Sequence, residues 1–564
     1  MATQQSPSSA VPQWQAIGQA KREEVLRMLP KELKVPEPIP APEELRNVAG
    51  YAEQFLTAEE KEITGSLSAA ALLDKLARGE LTAVQVTKAF LHRATIAHQL
   101  TNCLSDHDFA NALSDAMDLD AAFEKEGKVV GPLHGLPISL KDQFRVRGTD
   151  TTLGYVGWLG KKDTTESESW IVKQLRKLGA IVYVKTNVPT SLMAIETNNN
   201  IIGYTLNPTN RLLSSGGSSG GEGALIAAGG SILGLGSDIG ASIRLPSSFN
   251  GIVGLKPSHG RLPYLGVANS MLGHQTLESV IGPMGRNISD LKLLMQVILK
   301  TEPWLADPKV IKLPWRDSEE LEVRQHIASK KLTFGVLRND GVVTPHPPVK
   351  RIVEEAVEKL KAEGHEVIEW TPPPHAEAFE IAWAAFTADA GKDIHDQLSL
   401  SGEVPVPELA GVYGEKLGHL PPKTVNDLWD AQRRRDEYQA AYLSYWESTR
   451  DHTRTGRPVD AIITPVSPTV GYERGKGLYP GYTAVFNVLD YSVVVVRAGK
   501  ADAAKDLPYS EFKSQGDFDS MIHAQYDPVL FHDSPIGLQV VCRRLEEEKV
   551  LAIAEEVERI IYRP

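Results

Sequence analysis

Residues 214–246 constrain this chain more than any other segment. About a third of them are glycine, yet Leu225, Ile226, Ile232, Leu233, Leu235 and Ile239 are threaded between the glycines. A solvated linker has no use for such aliphatic side chains. Glycine opens positive φ and lets backbone approach backbone or ligand closely. The segment is therefore not expected to be a linker. A phosphate-binding loop is a second reading, but the pattern G-x-x-x-x-G-K-[ST] is absent, because no lysine follows Gly220 or Gly221. The third reading is a pair of catalytic turns. Ser218 and Ser242 stand 24 positions apart in two glycine-rich turns. Such turns suit a site where backbone N–H groups converge on a developing anion. Serine becomes a nucleophile only when something removes its proton, and Lys141 lies upstream in Leu-Pro-Ile-Ser-Leu-Lys-Asp.

Around this segment, short apolar runs alternate with helical patterns. Leu136–Leu140 reads as a strand ending at Lys141-Asp142. Residues 171–178 read as a helix stopped by Gly179, and Ile181–Val184 as a buried strand. Leu225–Ala228 reads as a short helix, and Ile232–Leu235 as a strand leading to Asp238. Residues 352–362 form an amphipathic helix with Gly364 as its stop, followed by an alternating strand at 366–370. Residues 461–465 and 491–496 are core-strand candidates, and 545–562 a last helix. Strand–helix alternation of this kind implies an α/β sheet. Towards the N-terminus, two helices are expected within 68–98. The first has Leu72, Leu73 and Leu76 on one face and Gly79 as its stop; the second opens with a capping box at Thr82 and Gln85. A chain of 564 residues suggests about three to five domains by length. With no internal repeat and no clean linker, the expected division is instead residues 1–64, a helical arm with a connector stiffened by Pro36, Pro38, Pro40 and Pro42, and residues 65–564, a single catalytic domain.

Composition excludes several function classes. A net charge of −12 with no basic patch argues against a nucleic-acid surface. The two cysteines, Cys103 and Cys542, have neither disulfide-framework nor zinc-ligand spacing. The polar, Pro-, Gln- and Ser-rich start carries no secretory signal, the final Tyr562-Arg563-Pro564 is no peroxisomal address, and no run of 18 apolar residues exists. A soluble cytoplasmic protein is expected, with no membrane partner and a homodimer left open.

The motifs resemble those of the amidase signature family. Gly216-Gly217-Ser218-Ser219-Gly220-Gly221 followed by Gly236-Ser237-Asp238-Ile239-Gly240-Ala241-Ser242-Ile243-Arg244-Leu245-Pro246 is similar to the family's hallmark. Residues 131–142, 185–189 and 254–257 match further segments. The resemblance runs from about residue 65 to 560, and within the family it looks strongest to the fungal acetamidases. It implies an α/β/α fold with a large mixed sheet covered by helices on both faces. It also implies amide hydrolysis without cofactor or metal. By the same resemblance Ser242 is the nucleophile, Ser218 a bridging serine held by a cis peptide bond, and Lys141 the general base.

The chemistry of this trio needs no histidine. An ordinary lysine, with a pKa of about 10.4, is protonated at pH 7, but burial lowers that value by several units. Neutral Lys141 then takes the Ser218 proton while Ser218 takes that of Ser242. The oxyanion formed on a carboxamide would be met by the backbone N–H groups of Ile239, Gly240, Ala241 and Ser242. Ser191 and Leu192, and less directly residues 196–199, are expected to line the acyl pocket. Asp238 and Arg244 are expected to pair and hold the nucleophile turn. Ser219 and Ser139 read as supporting hydroxyls, and His134 and His259 as structural. Many relatives carry glycine where this chain has Ala241, which tolerates positive φ poorly. Ala241 therefore has ordinary φ or shifts the loop, and its methyl is a candidate for narrowing the pocket. The expected substrates are acetamide-like or small aryl and aliphatic amides. The alternatives are an esterase or carbamate hydrolase with the same triad, a glutamyl-tRNA amidotransferase A-like subunit, a fatty-acid amide hydrolase, and a catalytically inactive interaction protein.

Overall fold

Among the described residues there are thirteen strands, most of them buried from end to end, and eleven of them build the central sheet. The computed structural model describes residues 11–329 and 331–562. The first ten residues of the polar start, and Arg563 and Pro564, lie outside the described residues. The strands are β1 (Leu104–His107), β2 (Pro137–Lys141), β3 (Ile181–Thr186), β4 (Leu206–Asn207), β5 (Asn210–Ser214), β6 (Leu233–Asp238), β7 (Val253–Lys256), β8 (Val280–Gly285), β9 (Thr333–Val336), β10 (Glu366–Glu369), β11 (Ala461–Pro465), β12 (Ser492–Lys500) and β13 (Pro535–Cys542). Eleven form one mixed sheet in the order β1-β3-β2-β6-β8-β7-β12-β13-β11-β9-β10, and β4 pairs with β5 apart from it. The runs β3-β2-β6 and β11-β9-β10 are parallel. The other pairings are antiparallel.

Side-chain alternation along β12 shows how the sheet is covered. Val494 and Val496 point into a core shared with Val550 and Val557 of the C-terminal helix Glu547–Ile561. Val495 points the other way, to Leu245 and Phe249 of the helix Arg244–Asn250. Val493 joins it, meeting Val485 and Phe486 of the helix Gly481–Val488. A period of two places successive residues on opposite faces, so both faces are apolar and both carry helices. This is the expected α/β/α layering.

The register of the parallel strands positions the candidate site. Ser139 and Leu140 of β2 lie opposite Gly234 and Leu235 of β6. Lys141 therefore ends β2 beside Ser237 and Asp238 at the end of β6. Open α/β sheets bind ligands beyond the carboxyl ends of parallel strands. The N-terminal arm is tied to this part of the sheet. Its helix Gln13–Met28 sends Lys21 inward to Asp106 at 3.0 Å and Asp150 at 3.1 Å.

Several expected boundaries move. The strand expected over 366–370 pairs as far as Glu369; the Trp370 N–H still donates to the Val336 carbonyl at 3.0 Å, and its ring packs on Tyr445 and Trp446, with centroids 4.7 and 5.0 Å away. The final helix spans Glu547–Ile561, and the capping box at Thr82 is complete, with both reciprocal bonds made. Central strand β13 lacks an alternating pattern because neighbours cover both its faces. Among the described residues no helix is long and apolar enough to cross a membrane. Leu538, fully buried on β13, is a direct probe of this core. Leu538→Ala should lower the unfolding free energy by about 2–5 kcal/mol, read from urea denaturation; a loss below about 0.5 kcal/mol, the range of an exposed position, would contradict the central placement of β13.

Candidate active site

Two chain reversals and one strand end meet at the site. Ser218 lies between β5 and the helix Gly220–Ala227, and the Gly217–Ser218 peptide is cis. The glycines here are required by close approach. A Cβ on Gly221 would lie 2.3 Å from the Asn187 nitrogen, and one on Gly217 would lie 2.8 Å from the Ala194 carbonyl oxygen. Both distances are shorter than a non-bonded carbon contact allows. The Ser219 N–H donates to the Ser242 carbonyl at 3.0 Å, which binds the two serine turns to each other.

Lys141 is completely buried, and its Nζ lies 2.7 Å from Ser218 Oγ and 2.8 Å from Ser237 Oγ. Burial drives its amine down to about 7, against the opposing pull of Asp238, Asp142 and Glu222. Each of these carboxylates is held elsewhere. Asp142 accepts from the Leu153 N–H at 2.7 Å and lies 4.0 Å from Lys185. Asp238 is bound by Arg244. Glu222 accepts from Thr186 Oγ1 at 2.7 Å and from Ser139 Oγ. Burial pushes the Glu222 carboxyl up to about 7, although these hydroxyls and the Lys141 charge favour its ionised form.

The turn carrying Ser242 is held from within. Asp238 accepts two bonds from the Arg244 guanidinium, at 2.8 and 3.0 Å, one from the Ile243 N–H at 3.0 Å and one from Asn487 Nδ2 at 2.9 Å. Burial would raise this carboxyl, but the Arg244 charge and these bonds outweigh it and hold it below the usual aspartate range. Arg244 also donates to the Gly240 carbonyl at 3.2 Å, and the Ala241 carbonyl accepts from the Leu245 N–H at 2.9 Å. In a trans peptide the C=O and the next N–H point in opposite directions. The Ala241 and Ser242 N–H groups are thus turned away from these internal partners. Among the described residues, the N–H groups of Ile239, Gly240, Ala241 and Ser242 meet no protein acceptor.

Ala241 has ordinary φ. Its methyl is buried among Leu245, Phe249, Val466, Tyr472 and Val495, so it packs against an apolar cluster. Ser191 and Leu192 adopt left-handed φ of 68° and 66° on a buried turn anchored by the Ser191 N–H to the Leu153 carbonyl at 2.8 Å. The side chains of residues 196–199 are engaged internally: Thr197 bonds the Gly216 carbonyl, and Asn199 bonds Asn187 and Val188. Ser219 Oγ donates to the Ser237 carbonyl at 3.3 Å. His134 accepts from the Val130 N–H, and His259 pairs with Glu278. Among the described residues no group of three or more His, Cys, Asp or Glu side chains is arranged to hold a metal ion. Sequence reasoning missed Ser237, Gln143, Glu222 and Asn487. It also missed Phe386, whose ring lies 3.7 Å from where a Gly240 Cβ would be. Ser237 and Gln143 were within reach of the strand pattern, since both flank motif residues at strand ends.

A buried amine beside one serine, with a second serine at the end of a run of unpartnered N–H groups, is an arrangement suited to acyl transfer without histidine. The amidase family profile matches residues 85–551. The chain is 47% identical to an acetamidase of Aspergillus oryzae, covering 90% of this chain and 92% of that protein. It is 43% identical to an acetamidase of Emericella nidulans, covering 97% and 98%. A solved fatty acid amide hydrolase superposes with a TM-score of 0.90 at 34% identity, covering 97% of this chain and 95% of the other. The chain belongs to the amidase signature family, as a hydrolase acting on linear amides.

The buried Asp238–Arg244 pair can be tested by itself. Removing one partner of such a pair strands the other charge, and Arg244→Ala should cost about 3–5 kcal/mol, read as a lowered denaturation midpoint. An unchanged midpoint would show that the pair does not hold the turn.

Proposed function

We propose that this protein hydrolyses acetamide-like and small aliphatic or aryl amides through a Ser242 acyl-enzyme, with Ser218 and Lys141 relaying the proton. The observation that carries this reading is the completely buried Lys141 amine, 2.7 Å from Ser218 and lowered to about 7. Neutral Lys141 accepts the Ser218 proton as Ser218 accepts that of Ser242. Ser242 Oγ bonds to the amide carbon, and the carbonyl electron pair moves onto oxygen. The N–H groups of the 239–242 turn face that oxyanion, each such donor contributing about 3–4 kcal/mol to the barrier reduction. The hydroxyls of Ser218 and Ser242 share no hydrogen bond in the structure, and catalytic bonds of this kind tighten in the substrate complex. The intermediate collapses by breaking the C–N bond. Ser218 protonates the leaving nitrogen and recovers its proton from Lys141. Water then attacks the ester, its proton passing through Ser218 to Lys141, and Ser242 leaves as the hydroxyl with the returned proton. The identity to two acetamidases over nearly the whole chain supports short acyl groups. The likeness to a fatty acid amide hydrolase supports a longer acyl chain as the second reading. An acyl-enzyme also serves esters and carbamates. The two buried free thiols, Cys103 and Cys542, support a cytoplasmic setting.

A panel of acetamide, benzamide, a carbamate and a long-chain amide, assayed on the purified chain, separates these substrates; a highest kcat/KM for the long-chain amide would overturn the short-acyl reading. Lys141 must be neutral to act as a base, so kcat/KM should fall tenfold per unit as pH drops below about 7. Lys141→Ala should abolish amide hydrolysis near neutral pH, and a retained wild-type rate would exclude it as base. Ala241→Gly should keep activity and substrate range, because the methyl lies in the core; complete loss of activity would contradict that placement.

A further inference from the structure

We propose that Gln143 and Ser237 are positioning residues that fix the direction of the hydrogen bond between Lys141 and Ser218, so that the amine lone pair faces Ser218. This rests on Lys141 being the general base. The direction is set by a backbone carbonyl, which can only accept. Gln143 Nε2 donates to the Ala268 carbonyl at 3.1 Å and to Tyr264 Oη at 2.6 Å. That assigns the other amide atom, Oε1, as the one facing Ser237. An amide oxygen also only accepts, so the Ser237 hydroxyl donates its single proton to Gln143 Oε1, at 2.5 Å. Ser237 then has only lone pairs left for Lys141, and the 2.8 Å contact is an N–H donated from Nζ to Ser237 Oγ.

A neutral amine has two N–H groups and one lone pair. Were Ser237 free to turn, its hydroxyl would donate into that lone pair, and Lys141 would present an N–H to Ser218, which is the wrong polarity for a base. The relay removes this competing donor. Among the described residues Ser218, at 2.7 Å, is the remaining hydroxyl bonded to Nζ. The geometry is enclosed: Gln143 is completely buried and Ser237 nearly so. The charges facing Lys141 are Asp142 at its own strand end, Asp238 from β6 with Arg244 beside it, and Glu222 from the helix Gly220–Ala227. None of them touches Gln143 or Ser237 through a side-chain bond, so the relay is separable from them by mutation.

The test is a double-mutant cycle on the whole chain, with acetamide as substrate and full pH profiles. Ser237→Ala should lower kcat on the order of 10- to 100-fold, part of the 10²–10⁴ available to general-base catalysis, with KM changed far less. Its acid limb should move to lower pH, because the Lys141 ammonium loses an acceptor. Ser237→Thr, which keeps the hydroxyl, should restore both rate and limb. Gln143→Leu frees the Ser237 hydroxyl to donate into the lone pair, so it should lower kcat and move the limb the same way. Since Gln143 acts through Ser237, adding Gln143→Leu to Ser237→Ala should bring no further loss in kcat. Additive losses, or a Ser237→Ala enzyme with wild-type kcat and limb, would overturn the proposal. If Gln143→Leu does not fold, the comparison of Ser237→Ala with Ser237→Thr decides by itself. An active Lys141→Ala enzyme would instead overturn the base assignment, which keeps the two failures distinct.

Discussion

The buried contact between Asp238 and Arg244 is the interaction on which the site depends. Asp238 ends a central strand, and Arg244 opens the helix on one face of the sheet. Their pairing closes the intervening turn into a ring. Arg244 reaches on to the Thr483 carbonyl and to Gln539, so the same guanidinium joins the turn to the helix Gly481–Val488 and to β13. A buried ion pair seldom adds net stability relative to an apolar replacement. Its value here is geometric: it turns the Gly240 carbonyl inward and so the following N–H outward. That inward pull turns out the Ala241 N–H, and the Leu245 N–H bond to the Ala241 carbonyl does the same for Ser242.

The second dependence is electrostatic. A lysine at the end of a buried strand is removed from bulk solvent, and burial lowers its amine to about 7. The three carboxylates around it oppose this effect, but burial outweighs them. Asp238 is neutralised by Arg244, and Asp142 lies against Lys185 and two backbone N–H groups. Glu222 is itself pushed up by burial towards its neutral form. The fold thus keeps net charge near Lys141 low, which favours the uncharged amine. The room for Glu222 comes from Gly234, where any Cβ would lie 1.8 Å from the carboxyl oxygen.

Much of this was legible in the chain itself. The glycine turns around Ser218 and Ser242, the strand ending at Lys141, the capping box at Thr82 and the final helix carry local signals strong enough to read. Strands β7, β8, β9 and β13 were not read. They are covered on both faces and interrupted by Gly or Pro, so alternation does not distinguish them. The long helix Val425–Ser448 was missed as well, because it buries only Ala431, Tyr438, Tyr442 and Trp446 on a largely polar surface. Ala241 shows the opposite limit. Its identity was plain, but its meaning depended on whether the methyl faced the substrate or the core, and only the packing of Leu245, Phe249 and Tyr472 around it decides that.

The amino-acid sequence by itself determined the family and the class of reaction, and it marked Lys141, Ser218 and Ser242 as the candidates for base, bridge and nucleophile. Those are properties of residue type and local turn, carried by glycine's conformational freedom and by motif spacing. Tertiary structure decided everything that depends on distance and dielectric. It decided that Lys141 lies fully buried 2.7 Å from Ser218, that Asp238 is matched by Arg244, and that Gln143 and Ser237 stand behind Lys141. The physical reason is that hydrogen-bond direction and pKa are set by the whole surrounding shell, and around Lys141 that shell is assembled from segments as far as 96 residues apart.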